Sequence, residues 1–171
     1  MEIALLSSIS LRLKGKQTSF IVNPQDKNAI YAGALLLGDL GKETLRINPQ
    51  ATIIEGPGDY EIGGIKFSAT HYDKELSYSL MIDDVSVLLV EAKTLVKMHQ
   101  KMHDHDIVVV FLTTKEDPAV AANVANSVVL YFGEKAQETV KQFLKEGVQE
   151  INKYSMTKDK LPTEVTQILL V

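Results

Sequence analysis

The sequence predicts an α/β protein, β-rich up to Val90 and alternating strand with helix after it, and three observations carry that reading. Residues 2–22 and 65–90 break into short apolar or alternating pieces parted by turn residues, as antiparallel strands do. Residues 107–112 and 128–131 are continuous apolar runs, too short for helices and suited to strands covered on both faces. Residues 34–37, AlaLeuLeuLeu, form another such run, and it hands over to the polar, glycine-bearing stretch 38–44. In layered α/β folds the loop leaving the carboxyl end of a buried strand is where chemistry usually sits. Here that loop holds no histidine, cysteine or serine.

At 171 residues the chain fits one domain, 1–171, able to bury roughly two thirds of the surface its unfolded form exposes. Hydrophobic content of 45% against 23% charged residues lies well away from the disordered range. A formal charge of −4, with no long basic cluster, disfavours nucleic acid as partner. Cysteine is absent, which removes disulfides, thiolate zinc sites and thiol nucleophiles together. The amino-terminal stretch has an early acid and too short an apolar run for a secretory signal, and nothing approaches eighteen consecutive apolar residues. A cytoplasmic protein without membrane contact is the expectation.

Taken in order, residues 3–6, 9–13 and 19–22 form a meander, with Lys14, Gly15, Lys16 and Gln17 as the second turn and Asn23-Pro24 as its end. The glycine-rich piece 53–64 predicts a tight corner. Strands follow at 65–70, 76–82 and 85–90, the last two joined by Asp83-Asp84 as a two-residue hairpin turn. Residues 94–102 read as a helix, with Leu95, Met98 and Met102 on one side. Asp117-Pro118 starts a short helix running through 120–125, because aspartate caps free amides and proline suits the first helical position. Ala136, Val140, Phe143 and Leu144 recur at helical spacing over 134–146, with Gly147 placed as a left-handed cap. Short strands near 149–154 and 165–170 close the sheets.

The series IleValAsnPro (21–24), GlyProGlyAspTyrGluIle (56–62), His71-Tyr72-Asp73, PheLeuLysGlu (143–146) and Leu161-Pro162 resembles the metallo-β-lactamase fold hydrolases, near the L-ascorbate-6-phosphate lactonase branch. The likeness spans nearly the whole chain. It implies an αββα sandwich: two mixed sheets face to face, with helices outside. In that family the loop after the buried strand carries HxHxDH, and the resemblance places Gly38, Leu40, Lys42 and Glu43 at its four ligand positions. The bridging aspartate falls at Glu91-Ala92 and the late histidine near Tyr131. Zinc needs imidazoles and carboxylates converging on it, whereas leucine has no lone pair to give and a lysine ammonium opposes a dication. No dinuclear zinc centre and no cofactor are expected.

The polar residues the resemblance gathers around that pocket are Asp39, Glu43, His71, Asp73 and Glu91. They are candidates for a rebuilt acid/base site with His71 as base, set against a plain reading in which they only hydrogen-bond loops. His99, His103 and His105 with Asp104 and Asp106 imitate a metal site, but they precede the strand at 107–112 and read as a solvated helix terminus. The glycines of 56–64 lack the Lys-Ser or Lys-Thr and the helix of a phosphate loop. Ser7-Ser8 lack a nucleophile elbow. The tyrosines at 60, 72, 78, 131 and 154 read as sheet residues. The leading expectation is a metal-free, non-catalytic member of the fold acting as a binding, structural or assembly protein, partnered by another protein or by its own copies. The alternative is a hydrolase of phosphate or lactone substrates with a site rebuilt around His71.

Overall fold

Two mixed sheets face one another in the computed structural model, which describes residues 1–40, 44–72, 74–144 and 147–171. The chain opens with the antiparallel meander β1 (Glu2–Ser7), β2 (Ser10–Lys14) and β3 (Ser19–Val22), then adds β4 (Gly33–Leu35) and β5 (Thr52–Ile54) in parallel. The second sheet takes β6 (Gly58–Ile62), β7 (Ile65–Tyr72), β8 (Glu75–Ile82), β9 (Val85–Glu91), β10 (His105–Phe111), β11 (Ala125–Phe132) and β12 (Val148–Ile151). β13 (Lys153–Ser155) returns to pair with β1, and β14 (Thr166–Leu170) inserts between β11 and β12. The six-stranded order is β13-β1-β2-β3-β4-β5 and the eight-stranded order β12-β14-β11-β10-β9-β8-β7-β6.

Between the sheets lies the main core, built from alternate residues of both inner faces, among them Ile3, Leu13, Phe20, Leu35, Tyr78, Val109, Phe111 and Phe132. The parallel strands β9, β10, β11 and β14 also bury their outer face, under helices α1 (Ala92–Met98) and α2 (Ala136–Phe143) and a 3-10 helix at Pro118–Asn123. This double burial is why those strands read as unbroken apolar runs. Over the smaller sheet, Ile21 and Ala34 are covered by Tyr31, Ala29, Ile47 and Ala51 from the connecting segments. The antiparallel strands β6, β7 and β8 lie beyond the helices, and their outer face alternates polar residues such as Lys66, Ser68, Ser77 and Ser79.

The meander, the strands expected at 107–112 and 128–131 and the Asp83-Asp84 turn stand where the sequence places them, and the run 34–37 supplies β4, although the strand stops at Leu35; both aspartates have positive φ, 50° and 68°, as a primed hairpin turn requires. The Asp117 carboxylate accepts the Ala119 amide at 2.9 Å, so the helix start holds, although the helix is 3-10 and ends at Asn123. Four elements differ from expectation. The corner at 53–64 contains the edge strand β6, whose mostly exposed residues hide its pairing with β7. The helix expected over 94–102 is α1 to Met98 and a 3-10 turn, His99–Lys101, beyond it. α2 is shorter than 134–146, and Gly147, although its φ is 80°, stands four residues past Phe143 beside β12. The strand near 149–154 is two strands, β12 and β13, one on the edge of each sheet.

Candidate functional site

Strand β4 ends where two buried polar side chains hold the backbone in place. Asn23, fully buried at φ 50°, donates from Nδ2 to the Ile9 carbonyl (3.2 Å) and accepts the Leu37 amide on Oδ1 (2.8 Å), while its own amide donates to the Leu35 carbonyl (3.0 Å). The Tyr78 hydroxyl, reaching across from the other sheet, accepts the Leu36 amide at 3.1 Å and donates to the Leu36 carbonyl at 2.9 Å. Burial holds that phenol well above its ordinary pKa, so it stays a neutral donor. Tyr78→Phe leaves both Leu36 groups without their partner, and a loss of about 1–3 kcal/mol in a urea melt is the expected outcome.

Beyond this anchor the chain turns at Gly38, whose φ is 73°. A Cβ there would lie 3.1 Å from the Phe111 ring and 3.6 Å from the Glu91 carboxyl carbon. Phe111 itself stacks on Phe132, ring centroids 4.8 Å apart. The segment therefore closes over the carboxyl ends of β9 and β10 with room for glycine and not for a side chain. Above it lies an open hollow of about 480 Å³ lined by Leu36, Gly38, Asp39, Ile54, Glu55, His71, Lys74, Glu75 and Leu76.

Asp39 and His71, both exposed, are brought together in this hollow. Glu43 and Asp73, like Lys42, lie outside the described residues. Glu91 lies beneath, 2% exposed, at the end of β9. One of its oxygens accepts the Thr113 hydroxyl at 2.7 Å, and the other is 3.1 Å from the Lys93 ammonium, which also pairs with Glu75 at 3.0 Å. Burial works against the Lys93 charge, but the two carboxylates outweigh it and raise its pKa. Leu40 packs against the main core. Tyr131 points to the helix side of the sheet, its hydroxyl 3.1 Å from Gln167 Oε1.

The donor set does not fit the zinc centre of the fold family. Gly38 and Leu40 offer no lone pair, Glu91 is engaged by Lys93 and Thr113, and Tyr131 faces away. Among the described residues no group of three or more histidines and carboxylates is gathered closely enough to hold a metal ion.

Lys93, Glu75, Thr113 and Phe111 are not among the residues that the sequence singles out, and it offers Asn23 and Tyr78 only as a strand end and a sheet residue. One signal was available for Lys93: a carboxylate closing the apolar run 85–90 needs a nearby cation, and Lys93 is two residues away. The histidine cluster also departs from its expected solvated state. His99 Nδ1 lies 3.2 Å from the Val96 carbonyl and His103 is exposed, but His105 is buried in β10.

Two mixed sheets with helices on the outside, and a hollow at the strand ends between them, define the metallo-β-lactamase-like fold. The chain is similar over 99% of both lengths to a candidate Zn-dependent hydrolase of the metallo-β-lactamase superfamily from Thermotoga maritima, at 16% identity and TM-score 0.70. It is also similar to a candidate metal-dependent hydrolase from Parabacteroides distasonis (15% identity, 96% of this chain, 91% of that one, TM-score 0.57). A mutant of the β-hydroxylase CmlA matches 99% of this chain over 52% of its own, at 9% identity and TM-score 0.56. No family model and no curated protein matches the sequence. Among the described residues, no helix is long and apolar enough to cross a membrane.

Proposed function

We propose that the strand-end hollow is a metal-free, non-catalytic pocket, a pseudoenzyme's relic of the metal site, and that the chain works there by binding a partner protein or a second copy of itself. The observation that carries this reading is the Lys93 ammonium, which sits against Glu91 and Glu75 as an internal counter-cation. With that positive charge covalently supplied, one of the two carboxylate charges is offset without an ion, and a dication brought beside Lys93 would meet a fixed cation. The fold stands without the ligands because the core between its sheets is built of apolar side chains that need no metal.

Elemental analysis of protein purified without an affinity histidine tag checks the metal-free part. Substoichiometric zinc and a melting temperature unchanged by chelator are expected; one tightly held zinc per chain would sink the proposal. The rival reading, hydrolysis of a phosphate or lactone substrate by His71, draws on its sharing a hollow with Asp39. A general base needs an orienting partner, and among the described residues no side chain hydrogen-bonds His71. The binding reading is therefore the better supported.

A further inference from the structure

On the opposite, outer face of the eight-stranded sheet, Ser79 of β8 and His105 of β10 meet with Oγ 2.6 Å from Nε2. His105 Nδ1 lies 2.8 Å from the His103 carbonyl, which can only accept, so Nδ1 carries the hydrogen and Nε2 presents its lone pair to the serine hydroxyl. This is the arrangement of an activated nucleophile: hydroxyl, base, and a third group that fixes the base's tautomer and ring orientation. Burial lowers the pKa of His105, which keeps the imidazole neutral and able to accept a proton near neutral pH.

The surroundings suit a small substrate. Ser79 stands between two hollows and is itself only half-buried. One, of about 130 Å³, has Tyr72, Leu88 and Met102 among its walls. That is roughly the volume of four water molecules, the size of a short acyl chain. The other, of about 550 Å³, opens toward Lys66 and Met81 and has room for a leaving group. Ser77, two residues before Ser79 on the same face, is 2% exposed, and its hydroxyl has no hydrogen-bond partner among the described residues although it borders the smaller hollow. A buried hydroxyl in that position costs stability unless something accepts from it, and an acyl oxygen in the hollow would.

We propose that Ser79 and His105 form a serine-nucleophile site for short-chain acyl esters, independent of the strand-end hollow. Ser79 Oγ attacks the ester carbonyl while His105 Nε2 takes its proton; the carbon–oxygen bond to the alcohol breaks, and His105 returns the proton to the departing alkoxide. Water, deprotonated by the same nitrogen, then splits the acyl-serine and restores the hydroxyl.

The test is reaction of the full chain with a fluorophosphonate probe and with p-nitrophenyl acetate, the modified peptide being mapped by mass spectrometry. Labelling confined to Ser79, lost in Ser79→Ala and slowed on the order of 100-fold or more in His105→Gln, is the expected result. Prior acylation by p-nitrophenyl acetate is expected to protect against the probe. Absence of labelling on folded wild-type protein overturns the proposal, and so does labelling of Ser79 that His105→Gln leaves undiminished. Should His105→Gln fail to fold, the wild-type labelling and its absence from Ser79→Ala decide the matter, with melting curves of that variant confirming an intact fold.

Discussion

Gly133→Ala is expected to leave little folded protein. Gly133 joins β11 to α2 with a φ of 125°, a backbone conformation that L side chains rarely adopt. A Cβ at this position would fall 2.3 Å from the Leu112 carbonyl oxygen and 2.8 Å from the Leu112 carbonyl carbon and nitrogen. Those are backbone atoms and cannot swing aside as a side chain would. Leu112 is moreover tied on both sides, its amide donating to the Phe132 carbonyl at 2.8 Å and its carbonyl accepting the Lys135 amide at 3.1 Å. Relief therefore requires parting the carboxyl ends of β10 and β11, two inner strands of the larger sheet. The penalty combines strain with lost packing and should exceed about 4 kcal/mol, in the range reserved for a few named mechanisms. A urea titration followed by circular dichroism measures it; a midpoint close to that of the parent chain would refute the geometry of this junction.

The second large effect is expected at Lys93. Lys93→Met removes the counter-charge of Glu91 and leaves a carboxylate that is 2% exposed with only the Thr113 hydroxyl for company. Breaking such a pair costs more than the pair itself contributes, because a buried charge is left uncompensated. Since the Lys93 side chain is 34% exposed, the loss should fall at the low end of that behaviour, about 3 kcal/mol. The double variant Lys93→Met with Glu91→Leu removes both charges and is expected to recover most of the loss. Chemical melts of the three proteins check this. If the double variant is no more stable than Lys93→Met alone, the internal ion pair is not what holds this corner.

The elements legible in the sequence are those whose burial is recorded in local pattern. Residues 85–90, 107–112 and 128–131 sit in the middle of the larger sheet and touch core on both faces, so nearly every position is apolar. The turn at Asp83-Asp84 is likewise a local matter of two residues that tolerate positive φ. β6 escaped because a polar edge strand, GlyAspTyrGluIle, has the composition of a loop and acquires its strand character only from β7. β12 and β13 were merged because one residue, Asn152, separates strands that belong to different sheets.

The candidate site follows the same division. The gathering of Asp39 and His71 was legible through resemblance to a family pattern, and Glu91 through its place at the end of an apolar run. The long-range pairs beside the hollow and on the outer face of the sheet were not. Lys93 meets Glu75 across eighteen positions of sequence, Tyr78 reaches Leu36 across 42, and His105 finds Ser79 across 26. No spacing rule connects such pairs, because the contacts exist only after the sheets have stacked and register has been set.

The return of β13 to the edge of β1 bears on how the molecule is made. A ribosome releases the meander well before residues 153–155, so until β13 emerges the outer flank of β1 carries unanswered amides and carbonyls. Such a flank is a template for pairing with another nascent chain. Crowding among nascent chains is therefore a condition under which an unpaired β1 edge is open to misassembly.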